Sequence, residues 1–246
     1  MPKTLIKNAR IVNESSIFES DILVEDQFIK KIASSISDDT AEVIDLQGQL
    51  LLPGCIDNQV HFREPGLTHK GTIATESRAA LAGGITTFME QPNTNPQTVT
   101  FEALEDKFNR AAKGSYVNYS FFFGGTNDNL ELIKRLDINA CAGIKLFLGS
   151  STGNMLVDRE ETIRGIFSNT EMVIAAHCED EPTIRANTEA ALKKYGDNIP
   201  IEMHPIIRSR EACYRSSSRA IELARETGAK LHVFHVSTAE ELELFD

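Results

Sequence analysis

Short apolar runs separated by polar clusters fill the first fifty positions of the chain. Runs of four to eight β-type residues bounded by Asn, Glu, Ser, Asp and Gly are typical of strands. The pattern predicts four strands, at residues 5–12, 22–25, 28–33 and 43–46. Strands at this spacing predict a small β-sandwich-like domain over residues 1–53.

The pattern changes after the apolar run that ends at Pro53-Gly54, a dipeptide typical of turns. Apolar runs now alternate with segments of helical character. The predicted strands are 56–62, 86–90, 117–123, 144–148, 172–177 and 231–236. The predicted helices are 72–82, 101–112, 129–136, 159–167, 181–195 and 210–226, and another begins at 238. Nearly continuous apolar strands that alternate with helices predict an α/β fold with a parallel sheet.

Two architectures satisfy this alternation, an open doubly wound sheet and a closed (β/α)8 barrel. The loop after the first of these strands reads NQVHFREP from Asn58 to Pro65, without a glycine-rich phosphate loop. The open nucleotide-binding sheet is therefore disfavoured. We expect a TIM-type barrel over residues 54–246, of which this chain supplies about six βα units.

Composition and charge narrow the function. The 246 residues are 41% hydrophobic and 25% charged, as in a globular chain with a sizeable core. The net charge of −11 repels phosphate backbones, so we expect no nucleic-acid partner. No apolar run approaches the ~20 residues of a membrane span, no signal peptide is apparent, and the four cysteines form no CxxC pair. These features predict a cytoplasmic protein without a membrane partner.

Three histidines occupy the later parts of predicted barrel strands, His61, His177 and His235, and Lys145 lies inside the apolar run 143–148. The carboxyl ends of barrel strands meet at one mouth, where barrel active sites lie. Burying such residues is costly unless they are paired or metal-bound, and imidazoles suit zinc. The pattern favours a metal site that acts on a small molecule. The alternatives are hydrogen-bonded core histidines and a snorkelling or ion-paired lysine.

The segment from Pro53 to Gly66, PGCIDNQVHFREPG, resembles the metal signature of dihydroorotases in the amidohydrolase superfamily. Four further blocks follow in that family's order: QPNT at 91–94, GIKLFL at 143–148, AHCED at 176–180 and HVFHVS at 232–237. The similarity runs from about residue 4 to the end of the chain. Single blocks are modestly specific, but five in order at barrel spacing are a strong resemblance.

The resemblance implies a zinc site that hydrolyses cyclic amides, in a barrel flanked by a small β-domain. His61 would be a first-strand ligand, and His177 and His235 would hold the second metal. Lys145 would bridge the metals after N6-carboxylation by carbon dioxide, since a carbamate anion offers each ion one oxygen whereas an ammonium is repelled. The family usually has a histidine where this chain has Gln59, which is a weak, neutral zinc ligand. The number of zinc ions, one or two, therefore stays open.

The resemblance also implies that Arg63 and Asn93 bind the exocyclic carboxylate of the substrate. A guanidinium offers a bidentate, permanently charged fork, which favours dihydroorotate over uncharged hydantoins or dihydropyrimidines. Other interpretations are a surface ion pair between Arg63 and Glu64, and a turn role for Asn93. The expected reaction is the reversible hydrolysis of (S)-dihydroorotate to N-carbamoyl-L-aspartate in pyrimidine biosynthesis. The alternatives are an allantoinase- or dihydropyrimidinase-type amidase and a catalytically silent scaffold protein.

The family's catalytic aspartate follows the eighth barrel strand, and this chain supplies six. We therefore expect the general acid–base aspartate, and the residues that complete the small β-domain, beyond residue 246 of a longer polypeptide. A truncated inactive homologue is the alternative, and a homodimer is one assembly left open. We interpret His69, His204, His232 and Cys178 as structural, with His232 on the strand face opposite the metal mouth.

Overall fold

The computed structural model describes residues 2–149 and 155–245. The chain divides into two compact units, Met1–Cys55 and Ile56–Asp246. The division lies close to the boundary expected after residue 53. Each unit has its own sheet.

The first unit is a five-stranded sheet. Its strands are β1 (Lys3–Asn13), β2 (Ser16–Glu25), β3 (Phe28–Ala33), β4 (Glu42–Asp45) and β5 (Leu50–Leu51). The order is β3-β2-β1-β4, and β5 also pairs with β1. The first three strands pair antiparallel, whereas β4 and β5 run parallel to β1. Strand β2 begins at Ser16, six residues before its predicted start. The prediction missed this first half because it is exposed and carries no burial pattern.

The second unit holds six strands in one sheet. They are β6 (Cys55–Val60), β7 (Ile85–Glu90), β8 (Asn118–Gly124), β9 (Gly143–Phe147), β10 (Ile174–His177) and β11 (Leu231–Val233). They are neighbours in sequence order, and the pairs from β7 to β11 are parallel. Sequential parallel strands joined by helices are the pattern of a TIM-type barrel. Six of its strands are present in the described residues.

Helices follow the strands as the periodicity predicts. They are α1 (Ile73–Ala82), α2 (Phe101–Gly114), α3 (Leu130–Ile133), α4 (Glu160–Asn169), α5 (Glu181–Tyr195), α6 (His204–Ile207), α7 (Arg210–Thr227) and α8 (Ala239–Leu242). Side chains of Thr72, Thr100, Asp180 and Ser209 cap four of them by accepting from backbone N–H groups of the first turn. Within the described ranges, no helix is both long and apolar enough to cross a membrane.

The two faces of the barrel sheet carry different residues. Side chains such as Phe88, Phe121 and Ile144 belong to the large apolar cluster that includes helix residues. Phe122 and Phe234 pack together on the other face. Paired residues of parallel strands point to the same face, and Lys145 pairs with Ala175, a member of this second cluster. Lys145 therefore lies on the inner face of the sheet.

Candidate active site

His177 and His235 meet where strands β10 and β11 end. His177 is the last residue of β10, and His235 follows β11 with a left-handed backbone, φ +40°. His177 Nδ1 lies 3.0 Å from His235 Nε2. Two nitrogens bound to one tetrahedral zinc at about 2.0–2.1 Å lie roughly 3.3 Å apart. The donor types and their spacing therefore fit two ligands of a common zinc ion.

Glu179 orients the His177 ring. Its Oε2 lies 2.5 Å from His177 Nε2, and its Oε1 accepts from Arg208 Nε at 2.8 Å. Although burial alone raises it, hydrogen bonds from His177 and Arg208 lower the pKa of Glu179 to about 2. An ionised carboxylate accepts a hydrogen bond from Nε2–H, which leaves the lone pair of Nδ1 on the side of His235. This is the tautomer that a metal ligand at Nδ1 requires.

Lys145 is buried beside this histidine pair, with 2% of the residue exposed. Its Nζ donates to the Leu146 carbonyl at 3.0 Å and lies 4.2 Å from the ring centre of Phe147 and 4.9 Å from that of Phe234. Burial lowers the pKa of Lys145 to about 7. The described residues place no carboxylate within ion-pair distance of this amine. A neutral amine is the form that reacts with carbon dioxide.

The aromatic rings link Lys145 to both histidines. The Phe147 ring centre lies 6.1 Å from that of His177, and the Phe234 ring centre lies 6.3 Å from that of His235. Lys145 and the two histidines therefore flank the same pair of aromatic rings.

His61 directly follows β6, and its Nδ1 lies 2.9 Å from Asn93 Oδ1. Burial and the positive charge of Arg63 lower the pKa of His61 to about 4, so its imidazole is neutral. The Gln59 backbone N–H donates to Asp57 Oδ1 at 3.0 Å. Across residues 2–149 and 155–245, no group of three or more His, Cys, Asp or Glu side chains forms a metal cluster.

Asn93 acts on His61 through a hydrogen bond and Arg63 acts on it through its positive charge. Arg63 has a left-handed backbone, φ +73°, and its N–H donates to Glu90 Oε1 at 3.1 Å. Glu64, the alternative ion-pair partner of Arg63, instead accepts from the Ile73 N–H at 2.8 Å. The Asn93 side chain contacts His61, so Asn93 has a role beyond forming the turn.

The expected position of His232 is wrong. His232 pairs with Ala175, which pairs with Lys145, so these residues share one face of the sheet. The expectation extended strand alternation back from His235, but β11 ends at Val233 and the left-handed backbone at His235 breaks the alternation. Burial raises the pKa of the Cys178 thiol to about 12, in keeping with a structural role.

Four further residues of the site region are not among the candidates that the sequence predicts: Glu90, Lys107, Glu179 and Arg208. Glu179 lies in the AHCED block, so its position beside His177 carried a signal. Lys107 lies on the buried stripe of α2 with Leu104 and Ala111, which is unusual for a lysine. Nothing in the local sequence marks Arg208 as the partner of Glu179.

A TIM-type barrel sheet with histidines where its strands end and a buried lysine within β9 is the arrangement of the barrel amidohydrolases. A family model described as Dihydro-orotase-like matches residues 48–241. The chain belongs to this dihydroorotase-like family of the amidohydrolase superfamily, as its sequence motifs predict.

Individual relatives support the same assignment. The chain is 36% identical over 245 residues to the dihydroorotase of Methanosarcina mazei, covering 98% of this chain and 52% of the relative. It is 30% identical over 248 residues to the L-hydantoinase of Paenarthrobacter aurescens, covering 98% and 53%. The solved L-hydantoinase (dihydropyrimidinase) from Arthrobacter aurescens superposes with a TM-score of 0.93 at 30% identity, covering 99% of this chain and 55% of that one. The chain spans about half the length of these relatives.

Proposed function

We propose that the protein is a zinc-dependent dihydroorotase, which reversibly hydrolyses (S)-dihydroorotate to N-carbamoyl-L-aspartate in pyrimidine biosynthesis. The observation that carries the proposal is that Asn93 contacts His61 at a barrel strand end while the positive charge of Arg63 acts on the same imidazole. Relatives named dihydroorotase are 30–37% identical to this chain, and a relative named L-hydantoinase is 30% identical to it. The residue chemistry of the site therefore has to discriminate between the two activities.

His177 and His235 would hold zinc, with Glu179 orienting the first of these rings. His61 and a carboxylated Lys145 would complete the ligand set. Zinc supplies a Lewis acid and activates water for attack on an amide carbonyl. The neutral carboxamide of Gln59 is a poor zinc ligand, so the number of ions, one or two, stays open.

Lys145 is suited to carboxylation by its burial and its low pKa. The lone pair of the neutral amine attacks the carbon of carbon dioxide, an N–C bond forms and one proton leaves to solvent. The resulting carbamate carries one negative charge, whereas the free lysine is neutral or carries one positive charge. Such an anion would offset the charge of a divalent ion that the neutral histidines leave uncompensated.

Arg63 and Asn93 would bind the substrate through its carboxylate. The guanidinium offers two parallel N–H donors, and the Asn93 amide can donate through Nδ2 while Oδ1 stays with His61. Held in this way, the ring amide would face the strand ends that carry Lys145 and the histidine pair. Hydrolysis breaks the ring C–N bond and transfers a proton to the leaving nitrogen. The aspartate expected beyond residue 246 for that transfer stays a prediction.

The test is a hydrolysis assay on the purified, zinc-supplied full-length protein with dihydroorotate and with an uncharged hydantoin. We expect wild-type protein to prefer dihydroorotate and Arg63→Met to lose about 100-fold or more in kcat/KM for it, because a charge-assisted bidentate contact is lost. Arg78→Met is the matched control, since Arg78 is an exposed arginine on α1. Failure of wild-type protein to turn over dihydroorotate would overturn the proposal.

A hydantoinase-type amidase is the second candidate, favoured by the TM-score of 0.93 to the solved L-hydantoinase. Faster hydrolysis of hydantoin than of dihydroorotate, unaffected by Arg63→Met, would establish it instead. A silent scaffold protein would bind less than about half an equivalent of zinc per chain. The cytoplasmic location and a homodimer are further parts of the proposal, and size-exclusion chromatography tests the second.

A further inference from the structure

Glu90 and Lys107 form an ion pair inside the second unit. Both side chains are buried, with exposures of 0% and 1%. Lys107 Nζ, reaching from α2, lies 3.0 Å from Glu90 Oε2 at the end of β7 and 2.9 Å from the Gln91 carbonyl oxygen. The ammonium also lies 5.4 Å from the ring centre of Phe121. Two oxygen acceptors and one aromatic ring thus surround the Lys107 ammonium.

Glu90 uses its other oxygen on the backbone of the segment that carries Arg63. Oε1 accepts from the Arg63 N–H at 3.1 Å, and the Phe62 N–H also donates to this carboxylate. Arg63 has φ +73°, a conformation that costs a non-glycine residue about 1–2 kcal/mol and persists only where neighbouring contacts impose it. Glu90 supplies the contact to the Arg63 N–H, and the Leu67 N–H donates to the Arg63 carbonyl oxygen at 3.0 Å.

Stability alone is a poor explanation for the pair. Taking two charges out of water costs about as much as their attraction returns, and well-packed apolar residues usually stabilise a fold equally well. Apolar residues could not accept the two N–H groups at Phe62 and Arg63. The pair is therefore suited to a task that an apolar pair cannot perform.

We propose that Glu90 and Lys107 are positioning residues for Arg63. Lys107 binds Glu90 Oε2 and holds the carboxylate in place, and Glu90 holds the left-handed backbone that aims the Arg63 guanidinium at the substrate carboxylate. The inference rests on the proposed function, in which Arg63 binds that carboxylate. It makes helix α2 a determinant of substrate affinity, although α2 lies outside the strand ends that form the site.

A second contact from the same helix supports this assignment. Arg110 of α2 lies 3.7 Å from Glu64, whose other oxygen accepts from the Ile73 N–H at the start of α1. The segment that carries Arg63 is thereby linked to α2 twice, by Lys107 through Glu90 and by Arg110 through Glu64. A shift of α2 would move the arginine with it.

The test uses Lys107→Met, Glu90→Gln and the combined neutral variant in the full-length, zinc-supplied protein. Lys113→Met is the matched control, because Lys113 is an exposed lysine on the same helix. The combined variant removes both charges and so avoids an unpaired buried charge if either single variant unfolds. Lys107→Arg restores the charge and should recover part of the wild-type behaviour.

We expect KM for dihydroorotate to rise about tenfold in the variants while kcat changes by less than about threefold, because affinity is lost and the reacting groups are untouched. Zinc content should stay at the wild-type level. Hydrogen–deuterium exchange should accelerate about tenfold or more at the amides of residues 62–63 and not in β10. Lys113→Met should match wild-type protein in all three measurements.

The inference would be overturned by unchanged hydrogen–deuterium exchange at residues 62–63, or by faster exchange there with an unchanged KM. A proportional fall in kcat and zinc content would also overturn it, because it indicates general loss of structure. Failure of the proposed function is a separate outcome, since wild-type protein would then not turn over dihydroorotate. In that case calorimetric binding of dihydroorotate replaces KM, and equal affinity in wild-type protein and variants overturns the inference.

Discussion

Asp21 in the first unit is a buried carboxylate, 4% exposed, that organises the backbone around it. One oxygen accepts from the Asn8 N–H at 3.0 Å and the other from the Ile36 N–H at 2.9 Å. Asn8 has a left-handed backbone, φ +54°, where the pairing of β1 with β2 shifts register. The hydrogen bonds from Ile36 and Asn8 lower the pKa of Asp21, because they favour its charged form.

We expect Asp21→Asn to reduce the free energy of unfolding by about 1–2 kcal/mol at pH 7, because an amide has one acceptor oxygen for two N–H groups. A lowered pKa means that the contribution is complete above the ordinary value of 3.8 and is lost as the pH falls through the lower folded-state value. Urea unfolding from pH 7 downwards should therefore show the two proteins converging below pH 3.8. Asp39→Asn, an exposed change in the same unit, is the control, and equal midpoints at pH 7 would contradict the prediction.

At the scale of elements, the loops after β6 and β7 depend on each other. The Asn95 N–H donates to the Pro65 carbonyl at 3.1 Å. Gly66 has φ +82°, and a Cβ there would lie 2.0 Å from the Asn95 carbonyl oxygen. These loops carry Arg63 and Asn93. The contact at Gly66 therefore sets the separation of the two residues that are proposed to bind the substrate carboxylate.

We expect Gly66→Ala to lower kcat/KM for dihydroorotate about 100-fold, because the added carbon forces the two loops apart and misplaces the substrate ligands. Gly84→Ala is the matched control. Gly84 has φ +86°, and a Cβ there would meet nothing within 4 Å, so alanine adds backbone strain alone. The control should lose about 1 kcal/mol of stability and keep its activity. Equal activity losses in the two variants, measured beside their melting temperatures, would contradict the role of the contact.

At the scale of the whole molecule, the proposed metal site and the barrel sheet belong to the same unit, Ile56–Asp246. His177 ends β10 and His235 follows the neighbouring strand β11, and the order of these strands follows the chain. Because unfolding separates these ligands, a zinc ion held between them would stabilise the folded unit. The first unit has no part in this histidine pair and should melt independently of zinc.

Zinc at about 100 times its dissociation constant should stabilise the second unit by about 2.7 kcal/mol and raise its melting temperature by about 5–10 °C. Chelation should reverse the shift. The double variant His177→Ala and His235→Ala should show no shift under the same conditions, as measured by calorimetry. A zinc-dependent shift of equal size in the double variant would place the metal elsewhere.

The order of strands and helices in the barrel unit could be predicted because each element carries its own periodicity. Helix ends were also visible, since residues such as Thr100 and Ser209 cap through local hydrogen bonds. The early half of β2 was missed, because an exposed edge segment has no burial pattern. Helix α3 is shorter than predicted: it ends at Ile133, three residues before the predicted end at 136.

By itself the sequence determined the alternating architecture, the motif blocks and the candidates at the strand ends, because these depend on residue type and local spacing. Only the tertiary structure decided which candidates meet. The contact of His177 with His235 spans 58 positions, that of Glu90 with Lys107 spans 17 and that of Glu179 with Arg208 spans 29. Such pairs depend on how strands and helices pack around a shared core, and the burial that makes each charge need its partner exists only in the folded chain.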